Sequence, residues 1–178
     1  MARVDGLSAE PDDFRDLYAE HQARVMRICR LLLTDPEEAE ETAQEIFLKA
    51  LRFYRSGERP LAWNKWLATV AINACRDRRR SGWWKRWRGH TEEFDEFRNP
   101  EHGHHSAEEE ASRRETYRLV WTRFRKLSPR QQEVFALRHF EGWSTEEVAE
   151  HLNLTQSSVK QHLFRAVHEL RKGLIKEP

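Results

Sequence analysis

The chain has 178 residues, 38% of them hydrophobic and 34% charged, with a formal net charge of +1. That length and composition fit one domain or two small, surface-rich modules and argue against a single large core. No apolar run approaches a membrane span, and the start MARVDGLSAEPDD lacks the apolar stretch of a secretion signal, so a cytoplasmic protein without membrane insertion is expected.

The near-zero charge resolves into blocks. Residues 1–48 hold 5 cations against 12 acids, whereas residues 49–80 hold 9 against 2. Residues 81–88 add 3 cations, residues 89–116 reverse to 3 against 9, and residues 117–178 return to 11 against 7. Two basic regions divided by an acidic one are what two nucleic-acid contacts on two modules would leave; an evenly solvated surface would show no such blocks. Seven glycines, six prolines and few alternating β-branched runs point to helix. Cys29 and Cys75 sit in helical patterns without a metal-type spacing partner and read as reduced, buried thiols.

From Asp12 the chain reads as a long amphipathic helix with Phe14, Leu17, Tyr18, Val25, Ile28 and Leu32 on one face. Asp35-Pro36-Glu37-Glu38 then sets a cap, a proline at the first helical position and a capping-box glutamate in the required order, opening a second helix that runs to about Tyr54. Its inner stripe is Ala39, Ala43, Ile46, Phe47, Ala50 and Leu51. Glu38, Glu40, Glu41, Gln44, Glu45 and Leu48 are left for other surfaces, either as an acidic solvated face favoured near a helix N-terminus or as a docking face.

After a turn at Ser56-Gly57-Glu58-Arg59-Pro60, a third helix is predicted over residues 61–80, buried along Trp63, Trp66, Leu67, Val70, Ala71 and Ala74. Another side gathers Lys65, Thr69, Asn73, Arg76 and Arg80 and ends in Arg78-Arg79-Arg80. The helix dipole alone favours cations there. Aromatic and polar groups beside a basic helix can also hold an unstacked base while the cations take phosphates.

Residues 81–106 lack sustained apolar periodicity and read as a flexible linker. Trp83, Trp84 and Trp87 lie there among cations, either touching nucleic acid or burying their rings in a short helix, and the acidic run TEEFDEFRNPE follows. His102, His104 and His105 have no fourth spaced ligand, so neither a metal site nor a cofactor is expected.

Ser106 caps a helix predicted to reach Leu127, with Tyr117, Val120, Trp121, Phe124 and Leu127 inward. Ser128-Pro129-Arg130-Gln131 caps another, carrying Val134, Phe135 and Leu137 inward and ending near Gly142. Ser144 and Glu147 form a third capping box, Val148, Ala149 and Leu152 stripe the short helix behind it, and Thr155 starts a last helix after the break at Asn153-Leu154. Val159, Leu163, Ala166, Val167 and Leu170 face inward together. The opposite face carries Gln156, Ser157, Ser158, Lys160, Gln161 and Arg165, with no carboxylate before Glu169. Amides, hydroxyls and cations on such a helix suit base edges and phosphates in a major groove, and an acid would repel the backbone.

Three blocks, DPEEAEETAQEIFLKALR, WLATVAINACRDRRR and LSPRQQEVFALRHFEGWSTEEVAEHLNLTQSSVKQHLFRA, together resemble, in order and separation, those of bacterial RNA polymerase sigma factors of the extracytoplasmic-function group. The last block alone also resembles the DNA-binding domain of quorum-sensing-type response regulators. The resemblance implies an all-α fold of two small helical domains, a sigma domain 2 over residues 1–80 and a helix-turn-helix sigma domain 4 over residues 107–178, joined by the linker. It implies that Glu41, Gln44, Glu45 and Leu48 dock on the β′ clamp helices of core RNA polymerase, with the β flap a further contact. Trp63, Asn64, Lys65, Asn73, Arg76, Asp77 and Arg80 match segments that recognise and melt the −10 element, though Trp63 reads equally well as a buried staple. Lys160, Gln161, Phe164 and Arg165, with Gln156, Ser157 and Ser158 of the same helix, lie where the family reads the −35 element. An anti-sigma factor is an implied partner alongside promoter DNA, and Glu92, Glu93, Asp95 and Glu96 would lie in a linker that threads the polymerase cleft.

A stand-alone helix-turn-helix regulator is the alternative, but the first module shows no ligand-pocket or receiver pattern. A nucleic-acid enzyme is disfavoured, since the chain has no P-loop, Gly-rich dinucleotide loop, clustered carboxylate pair or Cys/His metal spacing.

Overall fold

The computed structural model describes residues 14–81, 107–172 and 174; the linker tryptophans, the acidic run and His102, His104 and His105 lie outside them. Among the described residues the regular elements are helical: α1 (Phe14–Leu32), α2 (Pro36–Arg55), α3 (Trp63–Ser81), α4 (Ala107–Arg125), α5 (Pro129–Phe135), α6 (Thr145–Leu152) and α7 (Gln156–Lys172). None of these helices is long and apolar enough to cross a membrane.

Local sequence accounts for the helix starts. Asp35 accepts hydrogen bonds from the amides of Glu37 (2.8 Å) and Glu38 (3.4 Å) ahead of α2, with Pro36 at the position where a missing N–H costs nothing. Ser128 and Gln131 close a reciprocal capping box at α5, and Ser144 and Glu147 close another at α6. Beyond α5 the chain widens into a π-helical turn, Ala136–Phe140, with the Glu141 amide donating to the Ala136 carbonyl at 3.1 Å. This departs from the single α-helix expected to Gly142. The extra residue in that turn re-aims the side chains that follow, and Gly142 exits with φ +69°.

Helices α1, α2 and α3 pack on one another as the first module, and α7 packs on α4, α5 and α6 as the second. Leu17, Ile28, Ile46, Leu67 and Ile72 are fully buried in the first, and Val134, Leu137, Val148 and Val159 in the second. Each such side chain contributes about 1.5–3 kcal/mol relative to exposure. Cys29 and Cys75 are also buried, and a thiol hydrogen bond between them, with burial, pushes the Cys29 thiol up. Tyr18 and Tyr117, expected inward, are substantially exposed. Tyr18 lays its ring edge-on against Phe47 at 4.7 Å, so its apolar body packs while its hydroxyl end stays wet.

The two modules also meet, α1 against α5, which a reading of two bodies on a linker did not anticipate. The side-chain pairs across that junction are dominated by arginines and carboxylates.

Candidate nucleic-acid interface

The second module builds a helix-turn-helix. Asn153 ends α6 in the left-handed conformation (φ 54°, ψ 51°), where its short polar side chain is tolerated, and its amide returns to the carbonyls of Ala149 and Glu150. The chain then turns into α7, whose start is held by Thr155 Oγ1 accepting the Ser158 amide at 3.1 Å. Val159, Ala166 and Leu170 bury one side of α7. Gln156, Ser157, Lys160, Gln161, Phe164 and Arg165 are exposed on the rest, with Ser158 partly covered by its bond to Thr155. Phe164 is 72% exposed and stacks on His168 (6.2 Å between centroids), so its ring lies among the polar residues of this outward face. Glu169, the first acid of α7, turns away to Arg123 (3.2 Å) and Lys172 (3.0 Å), and those bonds hold its carboxyl below the usual range. The outward face thus offers donors, amides and cations without a competing carboxylate.

On α3 the sequence-derived residues separate. Asn73 and Arg80 are exposed; Asn73 Oδ1 accepts from Arg76 at 3.4 Å, and Arg80 pairs with Asp77 at 3.1 Å one turn back. Asn64 is half-buried, its Oδ1 accepting the Lys65 amide at 2.7 Å. Trp63 is only 9% exposed and meets Trp66 (5.5 Å) and Phe53 (6.0 Å) edge-on, so in this arrangement it acts as the staple that fixes the start of α3. Beside it, Arg59 of the preceding turn lies over the Tyr54 ring at 4.1 Å and donates to the Tyr54 carbonyl at 2.9 Å. Lys65 is exposed and Arg76 partly so, but both are paired with acids of the second module. Lys65 pairs with Glu147 of α6, and Arg76 makes a two-pronged pair with Glu133 of α5 at 3.2 and 3.0 Å.

On α2, Glu41, Gln44, Glu45 and Leu48 are exposed together. Glu41 and Glu45 accept from Arg78 of α3 at 3.2 and 3.4 Å, while Arg78 Nε donates to the buried Thr42 hydroxyl at 3.2 Å. Part of the acidic stripe therefore orders the end of α3 as well as facing outward. Sequence reasoning missed Gln132 and Glu133, buried polar residues on α5. The one available signal was a glutamine–glutamate pair beside the inward Val134. Among the described residues, no group of three or more His, Cys, Asp or Glu is placed to hold a metal ion.

Comparison with known proteins extends this geometry. Residues 17–85 match the family model "Sigma-70 region 2" and residues 117–170 match "Sigma-70, region 4". The chain is 33% identical over 176 residues, 98% of itself and 96% of its relative, to the ECF RNA polymerase sigma factor SigL of Mycobacterium tuberculosis. It belongs to the sigma-70 family, in the extracytoplasmic-function group. The RNA polymerase sigma-E factor of Streptomyces coelicolor is 29% identical over 163 residues, covering 92% of this chain and 86% of that one. Among solved structures, the sigma factor RpoE of Bartonella quintana, in complex with the anti-sigma factor NepR, aligns over 92% of this chain and 98% of its own with a TM-score of 0.68 at 19% identity. CnrH, in complex with the cytosolic domain of CnrY, aligns over 90% of this chain and 86% of its own at 0.57 and 23% identity. These likenesses carry the all-α, two-region fold. This sigma factor directs promoter-specific transcription initiation, and the stand-alone regulator is set aside because two sigma regions, not one helix-turn-helix, match.

Proposed function

We propose that the first module, residues 1–80, docks on core polymerase and opens the −10 element, while the second, residues 107–178, reads the −35 element. In this reading Glu41, Gln44, Glu45 and Leu48 of α2 meet the β′ clamp helices, and the second module meets the β flap. Asn73, Arg76, Asp77 and Arg80 of α3, with Asn64, Lys65 and the aromatic turn around Trp63, handle the −10 strand. Lys160, Gln161, Phe164 and Arg165 of α7 enter the major groove behind Gln156, Ser157 and Ser158, where the amides of Gln156 and Ser157 at the helix start suit a phosphate. The observation that carries the reading is the α7 face, which is exposed and free of acids over three turns.

The protein works by binding, with no catalytic chemistry of its own. Strand opening then draws on contacts that favour single-stranded over paired DNA: releasing a base costs a few kcal/mol of unstacking, which stacking and edge contacts offset. The site of action is the cytoplasm, where core polymerase meets the chromosome, and an anti-sigma factor restrains the protein until a signal arrives. One solved neighbour, RpoE of Bartonella quintana, is held in a complex with an anti-sigma factor.

The test is run-off transcription on bacterial genomic DNA with purified core polymerase, followed by sequencing of 5′ ends. The expected result is a restricted set of starts sharing two upstream elements at fixed spacing. Starts no different from those of core enzyme alone would overturn the reading.

A further inference from the structure

Three consecutive arginines end α3, and they are used differently. The Arg80 side chain is 83% exposed and pairs with Asp77 one turn back at 3.1 Å. Arg79 donates from Nε to the Leu32 carbonyl at 2.7 Å. The Arg78 side chain is 25% exposed and reaches across to α2. There its Nε donates to Thr42 Oγ1 at 3.2 Å, and its Nη2 donates to both Glu41 (3.2 Å) and Glu45 (3.4 Å). The cationic end of α3 is therefore not one DNA-facing patch.

The grip on α2 is anchored from inside. Thr42 is buried, so its hydroxyl fastens the guanidinium at the module's core, whereas the Glu41 and Glu45 side chains remain 66% and 65% exposed. These two acids stand one turn apart on α2, where like charges repel. A point charge between them would offset the repulsion. A planar guanidinium fastened at Thr42 also fixes where the two carboxylates sit. Each gives one oxygen to Arg78 and keeps the other for a partner. Leu48, exposed, follows one turn beyond Glu45, so held acids and an apolar side chain make one strip.

We infer that Arg78 is a positioning residue for polymerase docking, holding Glu41 and Glu45 in place beside Leu48, and that it takes no promoter phosphate. It rests on the reading that this face of α2 meets core polymerase. Side chains that must be ordered on binding cost affinity, and two glutamates already held by Arg78 have less freedom left to lose. A cation that merely cancelled their charge would act in the opposite sense, weakening the attraction of a basic partner surface. Salt screens that second effect and leaves the first, so the sign of the change on removing Arg78 separates them, most clearly at raised ionic strength.

The test is equilibrium binding of the fluorescently labelled full chain to core polymerase. Arg78→Ala should weaken binding roughly three- to tenfold. Arg78→Lys keeps the charge and the aliphatic stem but not the fork, and should fall between Arg78→Ala and the parent. Thr42→Val should lose part of the affinity in the parent and none in the Arg78→Ala background, while Thr42→Ser, which keeps the hydroxyl, should bind as the parent does. Should Arg78→Ala fail to fold, Arg78→Lys and the Thr42 pair carry the same decision. Promoter binding by holoenzyme assembled at saturating core should show the parent's salt slope in each Arg78 variant that folds.

Unchanged or tighter docking of Arg78→Ala, or parent affinity in Arg78→Lys, overturns the positioning role. A salt slope flattened by about 1 gives Arg78 to a phosphate instead. Glu41→Gln/Glu45→Gln and Leu48→Ala separate this from the docking reading: if they weaken core binding and the Arg78 variants do not, positioning falls and docking stands, and if they leave core binding unchanged, both fall.

Discussion

The outer faces of α3 and α7 carry similar chemistry, cations among amides and small polar groups, yet they differ in what they meet. On α7, Lys160, Gln161 and Arg165 are exposed and Glu169 is turned aside to Arg123 and Lys172. On α3, Lys65 and Arg76 are engaged by Glu147 and Glu133 from the other module. Charge blocks along a chain therefore establish that a surface is suited to nucleic acid, but its availability depends on where the acids of the other module fold. A cation paired with a nearly buried carboxylate is committed in a way that an exposed i,i+3 pair such as Arg80–Asp77 is not.

The largest expected effect tests whether the two regions stand or fall together. Leu67, fully buried beneath α3, should cost about 2–5 kcal/mol when replaced by alanine, the range for large-to-small core changes. In denaturant, followed by tryptophan fluorescence and circular dichroism, the second module's transition should move with the first, because the closed junction couples them. Two transitions with only the earlier one displaced would break the comparison, since the acids facing α3 would then be incidental neighbours.

Smaller effects sharpen it. Gln161→Ala or Arg165→Ala in holoenzyme should relax preference at one or two upstream base pairs by about 1–3 kcal/mol each, as expected for a good side-chain contact to a base edge. Competition between promoter variants measures this, and an equal loss at every position would deny base reading to α7. Arg76→Ala should instead weaken promoter binding evenly across sequences and flatten the log–log salt dependence by about 1. A salt slope identical to that of the parent would remove the phosphate role from Arg76.

Much of this architecture is legible locally. Asp35, Ser128 and Ser144 announce their helices because a cap and its partner lie within three residues, and apolar spacing places Leu17, Ile46, Leu67 and Val159 inward. Tyr18 and Tyr117 were read inward because periodicity registers an aromatic ring without its hydroxyl. The junction is illegible for a different reason. Arg24–Glu141, Lys65–Glu147 and Arg76–Glu133 are separated by 117, 82 and 57 residues, and no periodicity or cap links such partners. Trp63 is ambiguous on the sequence because a stapling ring and a base-stacking ring are the same residue; its edge-on contacts with Phe53 and Trp66 bury it at the start of α3.

The smallest expected effect concerns pH. His21, on α1, is held below the ordinary histidine value of 6.5 chiefly by burial and also by Arg24, with Glu20 and Glu141 opposing. His151, on α6, is lowered chiefly by burial and also by Arg76 and Arg130, with Glu133 opposing. His139, beside Arg138, and His162, beside Arg130 and Arg165, are lowered by burial in the same direction. A histidine lowered in the folded state takes up its proton more readily when unfolded. Well above pH 6.5 neither state binds that proton and stability is flat; as pH falls through 6.5 the unfolded chain binds first and stability falls, for the more buried His21 and His151 by up to about 1.4 kcal/mol per pH unit each until the lowered value is reached, and by less for His139 and His162, where solvent screens the effect. The Glu147 carboxyl, held low mainly by its bond with Lys65, keeps its stabilising charge through this window and loses it only in stronger acid. Denaturant midpoints should therefore agree at pH 8.5 and 7.5, begin to fall towards pH 6.5 and drop further by pH 5.5, with His151→Asn reducing the drop. A midpoint that rises on acidification would mean that the carboxylates around His21 and His151 outweigh burial, and that protonation tightens the junction.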